Sequence, residues 1–362
     1  MSKRIACIFL IFQALLSVMT CHANALSTSA SAAILVDAES GRVLYEQNAD
    51  TKMLIASTTK IMTALVAIRE GNPGETVTVS RSAAYTEGSA MYLKEGEELT
   101  LETLLYGLML CSGNDAAVAI AEHVGGSVDG FVKMMNDTAK KLGMTATSFA
   151  NPNGLDDEQH YSTARDMAIL ACAALDNAAL MRIASTRSIT IGGRTMTNHN
   201  KLLSMAEGCL GLKTGYTRAA GRTLVSCAQR SGQRLVAVTL QDGNDWADHQ
   251  SMLDYGFSAY PAKRAVAMGE IYQYAAVEGG TVSSVPLVAA SSFSWPCGEG
   301  ETLESRLELR QPLKAPLAAG TVVGEIVFTL NGTEVGRVDL RCGTGVLRNT
   351  ASAWNVLKMA VS

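Results

Sequence analysis

The amino-acid sequence predicts an α+β fold for residues 26–262, followed by a small separate β domain at residues 263–345. Strand-like segments stand at both ends of the first region with helical segments between them, so its sheet must be assembled from distant pieces of the chain. After Pro261 the pattern changes to short alternating runs without a helical period. The chain has 362 residues, which is enough for two domains with cores of their own.

The first 25 residues have the features of a secretory signal peptide. Lys3 and Arg4 give a positive start, residues 5–18 form an apolar run, and residues 23–25 (Ala-Asn-Ala) are a small-residue cleavage site. The run is shorter than the roughly 20 residues that a membrane-spanning helix needs, which disfavours a retained anchor. We therefore expect residues 1–25 to be removed and the protein to be exported.

Charge and cysteine content narrow the classes of function. Cleavage would remove Lys3 and Arg4 and lower the net charge from −4 to −6, and no basic block is present, so nucleic-acid binding is not expected. The spacing of the remaining cysteines resembles neither a zinc site nor a dense disulfide framework. Cys297 and Cys342 are a candidate disulfide pair after export, and buried free thiols are the alternative. The six cysteines lie at positions 111, 172, 209, 227, 297 and 342.

The elements of the first region follow from the changing period of its apolar residues. Residues 32–50 predict two strands around a turn at residues 39–41 (Glu-Ser-Gly). From Ser57 the apolar residues repeat at three and four positions, which predicts a buried helix of about four turns, ended by Gly71 and Pro73. Helical patterns fill residues 100–180. Beyond them, residues 187–193, 223–229 and 234–241 predict strands, and residues 248–260 predict a closing helix.

The end of the chain carries two further signals. Residues 322–330 and 334–340 predict a β-hairpin around an Asn-Gly turn at 331–332. Residues 346–362 fit an amphipathic helix with Leu347 and Trp354 on its apolar side, which would associate with a membrane, or a frayed tail. Few basic residues occur in this stretch, so the sequence leaves both alternatives open.

Ser57 and Lys60 form the first candidate catalytic pair. They stand three positions apart (i and i+3) on a helix, so their side chains lie on the same face about one turn apart. A serine hydroxyl needs a neighbouring base, and a lysine serves as one when burial or a second cation keeps it partly neutral. No G-x-S-x-G motif occurs, and none of the histidines at 123, 160, 199 and 249 stands in a motif with a serine. Ser-Thr-Thr before a helix is also an ordinary N-cap sequence, so this pair alone does not decide the function.

Two further motifs support a catalytic role. Ser112-Gly113-Asn114 and Lys213-Thr214-Gly215 each occur once, in that order after S-x-x-K. A serine there can relay a proton, an asparagine can hold a substrate carbonyl, and a lysine–threonine pair can hold a carboxylate. A charge on Lys213 would also disfavour protonation of a neighbouring lysine base.

Together the motifs resemble those of low-molecular-mass penicillin-binding proteins that act as serine-type D-alanyl-D-alanine carboxypeptidases. The resemblance covers most of residues 32–260 and includes GSAMYLKEGEELTLETLLYGLML, NPNGLDDEQHYSTARDMA, NHNKLL and LKTGYT. It implies a β-lactamase/transpeptidase-like catalytic domain, a small C-terminal β-sandwich domain, and an amphipathic membrane-associating tail at residues 346–362.

The resemblance also implies a role for each motif residue. The substrate would be a peptidoglycan stem peptide ending in D-Ala-D-Ala, and β-lactams would be covalent inhibitors. No metal or organic cofactor is implied, and the location would be the extracytoplasmic face of the bacterial membrane or the cell wall. The implied catalytic residues are Ser57 (acylated nucleophile), Lys60 (general base) and Ser112 (proton transfer), and the implied substrate-binding residues are Asn114, Lys213, Thr214, Gly215 and Tyr216, with the backbone N–H groups of Ser57 and Tyr216 as oxyanion hole.

Two other functions use or retain the same motifs. Class A β-lactamases carry S-D-N and an E-x-x-L-N loop, whereas this chain has S-G-N and no E-x-x-L-N, which favours the carboxypeptidase. A non-catalytic wall-binding protein is disfavoured because every reactive side chain is present. Some relatives bind the substrate carboxylate with an arginine after the last strand, and residues 243–250 contain none. Arg218 and Arg222 are interpreted as surface or strand residues and are left out of the predicted site.

Overall fold

The computed structural model describes residues 26–350, so the predicted signal peptide at 1–25 lies outside the described residues. The described chain begins with an antiparallel hairpin of β1 (Ala32–Asp37) and β2 (Val43–Gln47), whose connection contains Gly41 at a φ of 70°. All six residues of β1 are buried. The hairpin confirms the two predicted strands and leads directly to Ser57.

Helices follow the hairpin, as the sequence predicts. Ser57 lies in a 3₁₀ turn (Ala56–Thr59), and Lys60 begins the α-helix proper. Threonine and serine caps start several of the helices. For example, Thr100 and Thr163 each accept a first-turn N–H through the side-chain oxygen. In the described residues the α-helices are α1 (Lys60–Glu70), α2 (Arg81–Ala84), α3 (Leu101–Leu110), α4 (Asn114–Gly125), α5 (Val128–Leu142), α6 (Ala164–Leu175), α7 (Ala178–Ala184), α8 (Leu202–Met205) and α9 (Asp245–Ala259).

The main sheet joins the two ends of the first domain. Its five antiparallel strands lie in the order β2-β1-β9-β8-β7, and Ala32 of β1 faces Leu240 of β9. The predicted assembly from distant pieces is therefore confirmed. The edge strand β7, which holds Lys213, was not predicted as a strand, because its Lys-Thr-Gly run lacks apolar alternation. The strands of this domain beyond β2 are β3 (Thr76–Thr78), β4 (Glu98–Thr100), β5 (Ser188–Ile191), β6 (Arg194–Thr197), β7 (Cys209–Thr217), β8 (Gly221–Arg230) and β9 (Gln233–Leu240).

Both faces of the main sheet are covered, which explains why its central strands are apolar throughout. Ile34 and Val36 of β1 belong to a core shared with α1 and with helices α3 to α7. Ala33 and Leu35, which point to the opposite face, belong to a second core with α8 and α9. Helix α1 is thus held deep in the domain, and the predicted catalytic pair at its start has a rigid support.

The remaining described residues form a β domain with its own core. A two-stranded sheet (β10-β13) and a six-stranded sheet (β14-β16-β17-β12-β11-β15) make up this domain. The predicted hairpin turn is present, with Asn331 and Gly332 both at positive φ. The predicted α+β domain followed by a β domain is therefore confirmed. The strands are β10 (Ala262–Val266), β11 (Ile271–Glu278), β12 (Ser284–Ala289), β13 (Phe293–Pro296), β14 (Leu303–Leu309), β15 (Leu313–Lys314), β16 (Val322–Leu330) and β17 (Thr333–Cys342).

The predicted tail begins inside this β domain. Val346 exchanges backbone hydrogen bonds with Leu317, and the Leu347 carbonyl accepts from the N–H of Thr281. Residues 346–349 therefore belong to the β domain, and residues 351–362 lie outside the described residues.

Cys297 and Cys342 are both buried free thiols, so the candidate disulfide is not formed. The other described cysteines are also free thiols, and each is buried or partly buried.

The two domains are joined by polar contacts at the start of the second. Arg42 donates a hydrogen bond to the Pro296 carbonyl and forms a bidentate ion pair with Glu301, and its guanidinium lies over the ring of Tyr260.

Within residues 26–350, no single helix is long and apolar enough to cross a membrane. The consecutive helices α6 and α7, which are bent by 105° relative to each other, reach the length and composition of a membrane span only when they are counted together.

Candidate active site

A cleft of about 430 Å³ opens at the β7 edge of the main sheet. It brings together residues from all three predicted motifs. Loops and strands that are far apart in sequence supply its other walls. The cleft is lined by Ser57, Ser89, Ser112, His199, Thr214, Gly215, Tyr216, Arg222, Asp245 and Trp246.

The turn that presents Ser57 is strained and firmly held. Ala56, directly before it, has a φ of 45°, in the left-handed region that a residue with a Cβ rarely adopts. Three buried hydroxyl groups fix the surrounding backbone. Thr58 Oγ1 and Thr223 Oγ1 both donate to the Ile55 carbonyl, at 2.5 and 3.1 Å, and Thr59 Oγ1 donates to the Ala56 carbonyl at 2.8 Å.

Two glycines allow other segments to approach this turn closely. Gly154 has a φ of 86°, and a Cβ there would overlap the Ala56 carbonyl and lie 3.0 Å from the Ser57 nitrogen. A Cβ on Gly215 would also lie 3.0 Å from the Ser57 nitrogen. The missing side chains therefore leave the Ser57 N–H open beside strand β7, where an oxyanion can be held.

Lys60 Nζ has three partners and all three are neutral. It lies 2.8 Å from Ser57 Oγ, 2.7 Å from Asn114 Oδ1 and 2.7 Å from the Asn153 carbonyl oxygen. A neutral amine has two N–H donors and one lone pair. The two oxygens of Asn114 and Asn153 accept the two N–H bonds, which leaves the lone pair directed at the Ser57 hydroxyl. This is the geometry that a base needs to accept the Ser57 proton.

Electrostatics favour the neutral form of this base. Complete burial lowers the pKa of Lys60 well below its ordinary value, the charge of Lys213 lowers it further, and Asp115 acts in the opposite direction. Burial also lowers the pKa of Lys213 to about 7. Of the two causes that the sequence analysis names, burial is the larger at Lys60 and the second lysine the smaller.

The second and third motifs meet the first across the cleft. Asn114 bridges the walls, because its Oδ1 accepts from Lys60 and its Nδ2 donates to the Glu87 carbonyl at 2.7 Å. Ser112 lines the cleft with a φ of 59°, a second strained non-glycine residue. Lys213 lies beneath Thr214 and donates to its carbonyl at 2.9 Å. The structure thus gathers all eight predicted residues, and their individual roles stay predictions.

Arg222, which the sequence analysis interprets as a surface or strand residue, lies on β8 and lines the cleft. It stands opposite Tyr216 in the β7–β8 ladder, pairs with Asp245 at 2.7 Å, and lies over the Trp246 ring. The Asp245 side chain is 4% exposed and that of Arg222 is 43% exposed, so a buried carboxylate fixes a cation whose surface faces solvent. The register of the hairpin, which the sequence did not reveal, brings the arginine to Tyr216.

Two other residues were missed because their sequence context carries no chemical signal. Ser89 lines the cleft, and its carbonyl accepts the Asn114 N–H at 2.6 Å. His199 lines the cleft too, and burial together with Lys213 lowers its pKa. A second histidine lies behind the site, where His160 Nε2 is 2.7 Å from Thr59 Oγ1.

Comparisons with protein families give a match for each of the two domains. A family model described as D-alanyl-D-alanine carboxypeptidase matches residues 18–244. A second model, described as the C-terminal domain of penicillin-binding protein 5, matches residues 260–347.

Individual relatives extend over most of the chain. The D-alanyl-D-alanine carboxypeptidase DacF of Bacillus subtilis is 35% identical over 77% of this chain and 75% of its own length. DacC of Escherichia coli, with the same description, is 37% identical over 85% of this chain and 82% of its own. The crystal structure of penicillin binding protein 5 from Haemophilus influenzae superposes with a TM-score of 0.75 at 31% identity, and covers 89% of this chain and 98% of its own.

The close approach of Gly154 to the nucleophile turn gives a testable prediction. Gly154→Ala should lower the free energy of unfolding by more than about 2 kcal/mol, because the new methyl group must displace the Ala56 carbonyl. It should also slow acylation of Ser57 by benzylpenicillin, since Ser57 follows Ala56. Urea unfolding and intact-mass kinetics measure the two effects.

Gly41→Ala is the matched control. Gly41 has a φ of 70° and nothing within 4 Å of a new Cβ, so only the backbone cost of about 1 kcal/mol applies and acylation should be unchanged. Equal losses of stability in the two variants, with normal acylation in both, would contradict the proposed support of Ser57 by this loop.

Proposed function

The chain belongs to the D-alanyl-D-alanine carboxypeptidase family and is a serine-type, β-lactam-inhibited carboxypeptidase, and from the geometry of the cleft we propose which residues carry each step. The observation that carries the proposal is the contact of the buried, carboxylate-free Lys60 amine with Ser57 Oγ at 2.8 Å. The substrate is a peptidoglycan stem peptide ending in D-Ala-D-Ala.

Acylation begins with a proton transfer across this contact. The Ser57 hydroxyl proton passes to Lys60 Nζ, and Ser57 Oγ attacks the carbonyl carbon between the two D-alanines. The backbone N–H groups of Ser57 and Tyr216 stabilise the resulting oxyanion. The Asn114 side chain, held between Lys60 and Glu87, orients the peptide in the cleft.

Release of D-alanine returns the proton. As the carbon–nitrogen bond breaks, the leaving nitrogen takes a proton from the Lys60 ammonium, with Ser112 as the relay between them. Water then attacks the acyl carbonyl carbon while Lys60 accepts a proton from it, and as the bond to Ser57 Oγ breaks Lys60 returns that proton to Ser57 and the shortened peptide leaves. No step in this sequence requires a metal or an organic cofactor.

The terminal carboxylate of the substrate needs a cation, and the cleft offers two. Lys213 is buried under Thr214 and has a pKa of about 7, so it carries only part of a charge at neutral pH. Arg222 presents a planar guanidinium and is fixed by an ion pair with Asp245 at the same end of the cleft. We infer that Thr214, Lys213 and Arg222 bind the carboxylate together.

The β-lactamase alternative has no observation in its favour. The loop that contacts Lys60 does so through the Asn153 carbonyl, and within residues 26–350 no carboxylate hydrogen-bonds to Ser57 or Lys60. Efficient hydrolysis of a penicilloyl adduct by a second base therefore has no support in the cleft.

The test of the function combines adduct formation with product release. Wild-type protein incubated with benzylpenicillin should gain a persistent penicilloyl mass, and it should release D-alanine from diacetyl-Lys-D-Ala-D-Ala. Ser57→Ala should abolish both. Ser185→Ala is the control, because Ser185 is exposed outside the cleft and its Oγ donates only to the Arg182 carbonyl. Rapid penicillin turnover without an adduct would identify a β-lactamase, and an adduct that persists in Ser57→Ala would exclude Ser57 as the nucleophile.

Arg222→Gln tests carboxylate binding. We expect a roughly tenfold higher KM for the peptide with little change in kcat, since a charge-assisted hydrogen bond is lost. Arg222→Lys, which keeps a cation beside Asp245, should recover part of the affinity. The control is Arg218→Gln, whose arginine is exposed outside the cleft. If steady-state kinetics show that a folded Arg222→Gln protein has the same KM as the wild type, this role is ruled out.

We further propose export by the segment 1–25 and membrane association through the tail. The support is the signal-like sequence and the position of Leu347 at the end of the β domain, 73% exposed and next to residues 351–362. The catalytic cleft would then work at the outer face of the membrane, in peptidoglycan synthesis and remodelling.

Cell fractionation tests both parts of this proposal. The mature protein should begin at Leu26 and sediment with membranes, whereas a chain that ends at Thr350 should be recovered in the soluble extracytoplasmic fraction because the apolar side of the tail is gone. An uncleaved N-terminus would refute the signal peptide. Identical distribution of the two chains would refute the anchoring role of the tail.

A further inference from the structure

Asp115, the residue after Asn114, is a buried carboxylate without a cationic partner. It is 1% exposed at the start of α4. Its oxygens accept backbone N–H groups only. Met91 N donates to both oxygens at 3.0 Å, Leu93 N donates to Oδ2 at 3.0 Å, and Ala116 N donates to Oδ1 at 2.8 Å. A buried carboxylate depends on such hydrogen bonds, so Asp115 ties residues 91 and 93 to the start of α4.

One consequence of these bonds is a fixed cleft wall. Residues 88–93 cross over the start of α4, and the N–H groups on either side of Tyr92 are both tied to Asp115. Tyr92 between them has a φ of 61° and an 84% exposed side chain. The same segment supplies Ser89 to the cleft and binds Asn114. Asp115 thereby sets the distance between this wall and the catalytic pair.

The second consequence is electrostatic. When Lys60 accepts the Ser57 proton, an ammonium forms in a buried pocket whose three contacts are neutral oxygens. Lys213 opposes that charge, and Asp115, one residue from the Lys60 partner Asn114, favours it. Without a nearby negative charge, the burial that frees the lone pair would also make the amine too weak a base.

We propose that Asp115 is a positioning residue for the reaction: its carboxylate holds residues 88–93 as one wall of the cleft and supplies the buried negative charge that stabilises the Lys60 ammonium formed during acylation. The inference rests on the proposed role of Lys60 as the base.

Other ionisable groups near Lys60 have to be considered in a test by pH. Lys213 on β7 disfavours the ammonium, whereas Cys111 and His199 interact electrostatically with Lys213 and are not among the causes of the pKa shift at Lys60. His160 contacts Thr59 on the opposite side of the turn, and burial lowers its pKa to about 4. Of these groups, only Asp115 acts in favour of the ammonium of Lys60.

The experiment is the pH dependence of acylation by benzylpenicillin in the wild type and in Asp115→Asn. The acid limb of this rate reports deprotonation of the base in the free enzyme. Asp115 raises the pKa of Lys60, so its neutralisation should move the acid limb to lower pH, by roughly one pH unit, and reduce the plateau rate. Asp115→Glu retains the charge, so its acid limb should stay with that of the wild type even where the longer side chain lowers the rate.

Asp166→Asn is the matched control. Asp166 is likewise buried and accepts from Ala146 N and Thr147 Oγ1, away from the cleft, so its removal should leave the acid limb in place. An acid limb that does not move in a folded Asp115→Asn protein would overturn the inference, as would loss of the fold in both Asp115 variants, which would assign the carboxylate to stability alone. A wild type without adduct or D-alanine release would instead overturn the proposed function.

Discussion

Burial of the Lys60 amine is the constraint on which the rest of the site depends. An ammonium in that position would lose its hydration without gaining a carboxylate partner, so folding itself favours the neutral base. A neutral amine still needs partners for two N–H bonds, and these are the oxygens of Asn114 and Asn153. The second motif and the loop at residues 150–160 are therefore required by the buried lysine as much as by the substrate.

The fold supplies these partners by joining distant segments around one helix start. Strand β7 approaches so closely that Gly215 is needed, and the loop approaches from the other side at Gly154. Between them the backbone adopts left-handed conformations at Ala56 and Ser112. Such strain persists only where surrounding contacts over-determine the conformation, and at Ala56 the buried hydroxyls of Thr58, Thr59 and Thr223 provide them.

Local features of the fold and site were predictable from the sequence, and features set by tertiary register were not. The spacing of Ser57 and Lys60 and the Asn331-Gly332 turn follow from short-range geometry. The Asn153 contact uses a backbone carbonyl, which has no signature in the sequence. Arg222 enters the cleft only because the β7–β8 register sets it opposite Tyr216. In the sequence, Asp115 resembles any acidic residue in the first turn of a helix. Only the structure shows its hydrogen bonds to residues 91 and 93.

The same arrangement explains why a β-lactam inhibits this enzyme. After acylation, hydrolysis needs a base for the attacking water, and in the described residues Lys60 is the sole candidate that contacts Ser57. The nearby carboxylates are occupied: Asp115 accepts three backbone N–H groups, and Asp156 accepts from Thr217 at 2.7 Å. A peptide acyl group leaves the lysine free once D-alanine departs. A penicilloyl group keeps its leaving nitrogen tethered to the acyl group, so that this nitrogen would obstruct the approach of water to Lys60.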